Sequence, residues 1–267
     1  MIPISRYQRR RAQLAKAIGN GIAIIPTAPE RARNRDTHFQ YRFDSYFYYL
    51  TGFVEPEAVT VIVGGKSPKA ILFCREKDLT REIWDGYRYG PKAAQKAFAF
   101  DETYSVAKLD EMMPKLIANQ AALHFPLGAD AAWDTRIVGW INQEKAQVRS
   151  GVSAPAEIQD GCTVLDDLRL IKDADEIKTM RRAAAIASDA HRRAMQTTQP
   201  GMMEYQVEAE LVHEFRSRGS QAPAYTSIVA GGANACVLHY VENKDRLNDG
   251  DLLLIDAGCE LNGYASD

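Results

Sequence analysis

Apolar residues recur along this chain with two different periods. Ile4, Tyr7, Leu14 and Ile18 share one face of a 3.6-residue helix, and Gly19-Asn20-Gly21 then breaks the pattern before a strand-like run at 22–25. The runs 47–53, 58–63 and 70–74 are β-branched or aromatic and are set off by Gly, Pro and charge, which predicts strands. Helical or partly helical patterns cover 79–88, 106–118 and 131–147. Together these predict an α/β domain with a mixed sheet.

The small-residue stretch Ser150-Gly151-Val152-Ser153-Ala154-Pro155 precedes a different regime. Asp173 with Glu176 three positions later forms an acidic capping box, and Ile177, Met180, Ala184 and Ala187 continue at helical spacing. That helix is expected to run to about 197 and to end at Pro200-Gly201. A second starts near Met203, carries Val207, Leu211 and Phe215 on one face, and ends by Gly219. Strands are expected at 225–230, 237–241 and 252–255. The boundary falls near 165–173, giving an N-terminal domain at 1–168 and a smaller α+β domain at 169–267. No internal repeat or low-complexity tract interrupts them.

Composition narrows the function. Hydrophobic residues make up 46% and charged residues 25%, as in a globular protein, and 33 basic against 35 acidic residues leave a net charge of -2. Nothing electrostatic favours nucleic acid or an anionic membrane, so the expected partners are small molecules or protein. No apolar stretch approaches the roughly 18 residues of a membrane span. The first acid is Glu30, which raises a targeting reading for the basic start, but the helical face running into the strand at 22–25 favours a folded element. Cys74, Cys162, Cys236 and Cys259 are dispersed with no CxxC pair, and are expected to be reduced thiols of a cytoplasmic protein.

The chain ends in LLLIDAGCELNGYASD. With an even-numbered loop centred between Leu261 and Asn262, Asp256 and Asp267 stand directly opposite each other. With Asn262-Gly263 as a two-residue turn, Asp267 faces Gly258 and still shares a face with Asp256. Only an odd loop separates the two acids. Like charges so placed repel, and a hard divalent cation would remove the conflict; the plainer alternative is a pair of exposed turn acids with no ligand. His239 follows the short apolar run Val237-Leu238, where a lone histidine is more often a hydrogen-bonded structural residue. Gly231-Gly232 lacks the spacing of a nucleotide loop.

In order and spacing, YQRRRAQL, FYYLTGFVEPEAV, DLTREIWDGYR, LRLIKDADEIKTMRRA, HRRAM, PGMMEY, LHYVEN and DGDLLLIDAGCELNGYASD resemble the Xaa-Pro aminopeptidases (aminopeptidase P) of the pita-bread metallopeptidase superfamily. The resemblance implies a hydrolase with two divalent ions, usually Mn2+, that removes an N-terminal residue preceding proline. By its motifs Asp256 and Asp267 are metal ligands, His239 hydrogen-bonds the peptide around the scissile bond, and Tyr225 lies near the metals. Family members more often carry Asn where Thr226 stands. Trp84 matches a tryptophan that reaches a neighbouring subunit's active site in tetrameric members, so a dimer or tetramer is implied; a partly buried aromatic anchor is the simpler role. The family's remaining ligands, a histidine and two glutamates, have no counterpart among His38, His124, His191, His213 and His239 or in a later segment. The expectation is therefore an N-terminal domain followed by an incomplete pita-bread domain, inactive by itself. A dipeptide-cleaving prolidase and a non-catalytic oligomerisation or binding module are the alternatives.

Overall fold

The computed structural model describes residues 2–267, which fall into two units, Ile2–Ile171 and Lys172–Asp267. In the first, the chain runs α1 (Ile4–Ala17), β1 (Ile22–Pro26), a small hairpin β2 (Ala32–Asn34) and β3 (Thr37–His38), α2 (Ser45–Thr51), β4 (Val59–Val63), β5 (Lys69–Cys74), α3 (Leu79–Asp85) and α4 (Gly90–Phe98). It continues through β6 (Glu102–Ser105), α5 (Leu109–Ile117), β7 (Ala122–Phe125), α6 (Ala131–Ala146), β8 (Glu157–Asp160) and α7 (Gly161–Leu170). The mixed sheet has the order β6-β5-β4-β1-β7-β8, with β4 antiparallel to both β1 and β5, and β1–β7, β7–β8 and β5–β6 parallel.

The unbroken apolar run of β1 follows from its central place. Ile22 and Ile24 pack with Leu109, Met113 and Ile117 of α5 and Trp140 and Ile141 of α6. Ala23 and Ile25 face the other way, into a cluster with Leu14 and Ile18 near α1, Phe47 and Leu50 of α2, and Leu165 of α7. A strand covered on both faces has no polar side to alternate with.

The run 47–53 is not a strand. It lies in and just after helix α2, because Asp44 accepts the Phe47 N–H at 2.8 Å as N-cap and Gly52, at φ 66°, ends the helix in the left-handed region. A side chain at Gly52 would also meet the Tyr7 ring at 2.8 Å. Capping at both ends outweighs the β-propensity of Phe and Tyr in so short a segment.

Arg11 of α1 is buried rather than on a solvated basic face. Its guanidinium donates to Leu50 O at 3.0 Å, Phe98 O at 3.0 Å and Ala99 O at 2.6 Å, and it lies 4.2 Å over the Phe100 ring. One cation thus serves the carbonyl ends of α2 and α4. Burial lowers its pKa to about 10, against the opposing charge of Asp101, and it stays charged at neutral pH.

The second unit contains α8 (Ala174–Thr197), α9 (Glu204–Ser217), β9 (Ala222–Pro223), β10 (Ile228–Gly231), β11 (Leu253–Asp256), β12 (Cys259–Leu261) and β13 (Tyr264–Ala265). Asp173 and Glu176 form the capping box that starts α8. Its buried face is Ala183, Ile186, Ala187, Ala190 and Ala194, packed with Val207, Leu211 and Phe215 of α9. Ile177 and Ala184 of the expected face are exposed, so the buried stripe is rotated toward the alanines, whose small side chains let α9 approach. Strand β10 pairs antiparallel with β11, and β12 lies between β13 and β9.

Two expected strands change. The segment expected at 225–230 becomes strand only from Ile228, leaving Tyr225 in a loop. Residues 237–241 form no strand: they follow a short 3-10 helix, Gly232–Cys236, and Leu238 is 88% exposed. The inward group of that stretch is Tyr240, whose phenol bonds to Glu204 of α9 rather than to a sheet.

Candidate metal centre

The closing hairpin is set by its turn. Asn262 and Gly263 both have positive φ, 51° and 77°, the two-residue arrangement whose twist suits paired strands. Leu261 therefore pairs with Tyr264 and Glu260 with Ala265, and the ladder continues as Ser266 N–H donates to Cys259 O at 2.9 Å and Cys259 N–H to Ser266 Oγ at 3.0 Å. Of the registers open to the sequence, this one puts Asp267 across from Gly258. A Cβ at Gly258 would lie 2.0 Å from the Ser266 carbonyl oxygen, so only glycine admits the approach. Asp256, the last residue of β11, pairs with Ile228 and lies two positions before Gly258.

The two acids meet at a phenol. Tyr225 Oη lies 2.7 Å from Asp256 Oδ1 and 2.8 Å from Asp267 Oδ1. Burial, and then the two carboxylates beside it, push the phenol pKa up, so it keeps its proton at neutral pH. One O–H can serve one carboxylate at a time, which leaves the second negative oxygen without a donor from this group.

Both aspartates are solvent-exposed and offer hard oxygen ligands, a donor set that fits Mn2+, Mg2+ or Ca2+ better than a thiophilic metal. Cys259 does not join them: it is buried, with Sγ 3.5 Å from the Ala183 carbonyl. Among the described residues no group of three or more His, Cys, Asp or Glu could hold a metal ion.

The sequence-predicted residues are only partly brought together. Tyr225, Asp256 and Asp267 converge, while His239 is exposed on the loop after the 3-10 helix. Trp84 sits on α3 in the other unit, 81% exposed, on the same helix as the exposed Ile83 and Leu79.

Two residues not read from the sequence shape the His239 loop. Glu204 is fully buried and accepts from the Tyr240 phenol, the Asn234 amide and the backbone of Gly231 and Asp245. Burial pushes its pKa up, but these four donors outweigh that and hold it below the usual carboxylate value. Asn243, at φ 47°, accepts from Val229 N–H and donates to Glu208 and to Ser227 O. The available signal was an acid directly after PGMM at a helix start, where solvent exposure is the ordinary expectation.

Residues 7–124 match the family described as aminopeptidase P, N-terminal domain, and residues 178–267 match metallopeptidase family M24. The Xaa-Pro aminopeptidase of Escherichia coli K12 is 40% identical over 272 residues, which take in 100% of this chain and 62% of that protein. Among solved structures, a Pseudomonas aeruginosa aminopeptidase is 47% identical with a TM-score of 0.96, covering 99% of this chain and 60% of the other. Zinc-substituted E. coli aminopeptidase P in complex with product is 39% identical with a TM-score of 0.97, covering 100% of this chain and 61% of the other. The chain thus spans about three fifths of the length of these relatives.

Proposed function

The chain belongs to the aminopeptidase P family of pita-bread metallopeptidases, and from that premise we propose that it serves hydrolysis of the peptide bond between an N-terminal residue and a following proline. The observation that carries this reading is the convergence of Asp256 and Asp267 on one phenol oxygen, at 2.7 and 2.8 Å. Asp256 and Asp267 would hold divalent metal, Mn2+ by preference for an all-oxygen set. Metal held there would supply Lewis-acid chemistry, making water more acidic and the scissile carbonyl more electrophilic.

The remaining roles belong to the protein. Tyr225 donates to one of the two carboxylates at a time and stands beside the substrate. His239, on its exposed loop, hydrogen-bonds the peptide around the scissile bond, and Trp84 contacts substrate within a homo-oligomer, a dimer or tetramer. Two carboxylates are few for a pair of ions, so residues 1–267 by themselves are proposed to bind metal weakly and to turn over little or no peptide. Four unpaired cysteines support a reducing, cytoplasmic setting.

The test is Mn2+ binding, followed by electron paramagnetic resonance, for the natural chain and for Asp256→Asn and Asp267→Asn. Each substitution should weaken binding at least 10-fold. Binding that neither substitution changes would sink the assignment. Release of the first residue from Xaa-Pro-Yaa, compared with cleavage of Xaa-Pro, separates the aminopeptidase reading from a prolidase.

A further inference from the structure

One carboxylate gathers most of the hydrogen bonds that hold the loop carrying His239. Glu204 opens α9, and its Oε1 accepts from Gly231 N–H at 2.8 Å and Asn234 Nδ2 at 3.1 Å. Oε2 accepts from Tyr240 Oη at 2.7 Å and Asp245 N–H at 2.9 Å. A carboxylate accepts at about four positions and donates at none, so its capacity is filled entirely from the stretch 231–245. The Glu204 N–H in turn donates to Asp245 O at 2.9 Å, so the far end of the stretch is fastened twice.

A second fastening lies one turn along the same helix. Glu208 Oε2 accepts from Asn243 Nδ2 at 2.9 Å, and Asn243 is bonded to the backbone of Val229 and Ser227. Between these points Val237, Leu238 and His239 are exposed and belong to no strand. The immediate neighbour of His239, Tyr240, is buried with its ring against Ile228 and Ala230 and its hydroxyl on Glu204.

We propose that Glu204 is the positioning residue for His239: by clasping Gly231, Asn234, Tyr240 and Asp245 at once, it fixes the segment that presents the imidazole. The inference rests on the assignment of His239 to peptide contact made above. Sheet pairing holds only the Gly231 end of the segment, residues 237–241 belong to no strand, and apolar packing is limited to Ala235 and the Tyr240 ring. Neutral glutamine cannot replace the acid, because its amide nitrogen would point at donors already aimed at Oε1 or Oε2.

The experiment measures backbone order by NMR relaxation in the 267-residue chain, in Glu204→Gln and in the milder Tyr240→Phe, with a Xaa-Pro-Yaa peptide titrated into each. In the natural chain Leu238 and His239 should show order near that of rigid backbone, roughly 0.85, and in both variants it should fall below about 0.6 while α8 and β12 keep theirs. The peptide-dependent shift of the His239 ring signal should then need at least 10-fold more peptide. If both variants leave the order at His239 unchanged, the proposal is overturned. Should Glu204→Gln fail to fold, Tyr240→Phe decides by the same criterion. A peptide that moves no His239 signal in the natural chain counts against the hydrolytic reading, and the order measurements still decide the clasp.

Discussion

Tyr264 Oη donates to Glu176 Oε1 at 2.9 Å, while Glu176 Oε2 receives the Asp173 N–H at 2.8 Å. The buried carboxylate that closes the α8 capping box is therefore also the tether of the hairpin that ends at Asp267. Tyr264→Phe removes one partner and should cost about 1 kcal/mol; Glu176→Ala loses the cap as well and should cost about 2 kcal/mol. Urea unfolding of both variants checks the ratio. Equal costs would mean that the cap adds nothing beyond the tether, and no cost for Tyr264→Phe would mean that the tether carries nothing.

Gly258→Ala places a methyl group against backbone, 2.0 Å from Ser266 O, where no rotamer change can relieve it. The hairpin must then open or shift, and Asp267 leaves Tyr225. The expected result is loss of Mn2+ binding comparable to Asp267→Asn, with the Ile2–Ile171 unit intact by hydrogen exchange. Retained binding would show that the aspartates do not depend on this register.

His124 gives the N-terminal unit a response to acid. It is 5% exposed, its Nδ1 has no hydrogen-bond partner, and desolvation lowers its pKa from 6.5 against the opposing charge of Glu157. As pH falls through about 6.5, the unfolded chain takes up a proton that the folded unit resists, so stability should decline from pH 7 to 5.5 by up to about 1.4 kcal/mol per pH unit. Above that window His124 is neutral in both states and contributes no slope. His124→Phe should flatten the decline; an unchanged slope assigns it to other groups.

Arg11→Met keeps an unbranched apolar stem and removes the donors. Three carbonyl oxygens at the ends of α2 and α4 lose their cation, and a cost of about 2–3 kcal/mol is expected in thermal or urea unfolding. A loss below about 0.5 kcal/mol would mean that water replaces it freely.

Much of this was legible where pattern and capping agree. The apolar run of β1, the Asp173–Glu176 box and the Asn262-Gly263 turn are local signals, and the turn narrows the acid pair to a few registers. Residues 47–53 misled because aromatic content was weighed above Asp44 and Gly52, which set a two-turn helix. The face of α8 misled because Ile177 and Ala184 fit the period as well as Ala183 and Ala187 do, and only packing with α9 chooses between them. Arg11 and Glu204 were invisible for a common reason: charged residues on helices are ordinarily solvated, and their burial depends on acceptors or donors distant in sequence. At the site, the two aspartates could be placed on one face from the sequence, but the phenol that joins them comes from a loop expected to be strand.

The central position of β1 also governs the order in which the N-terminal sheet can assemble. Ile22 meets Val63 through an antiparallel partner that follows soon in the chain, and Val63 meets Lys69 almost at once, whereas Ile22 reaches Leu123 only across a long intervening stretch. Closing the longer loop costs more entropy before any contact repays it, so the β1–β4–β5 meander is the natural nucleus and β7 and β8 join late. During synthesis the meander is complete before β7 exists, and the β1 edge that β7 will cover stays open until α5 has been made. Refolding of this unit is therefore expected to be slowest, and most prone to pairing between chains, at that edge.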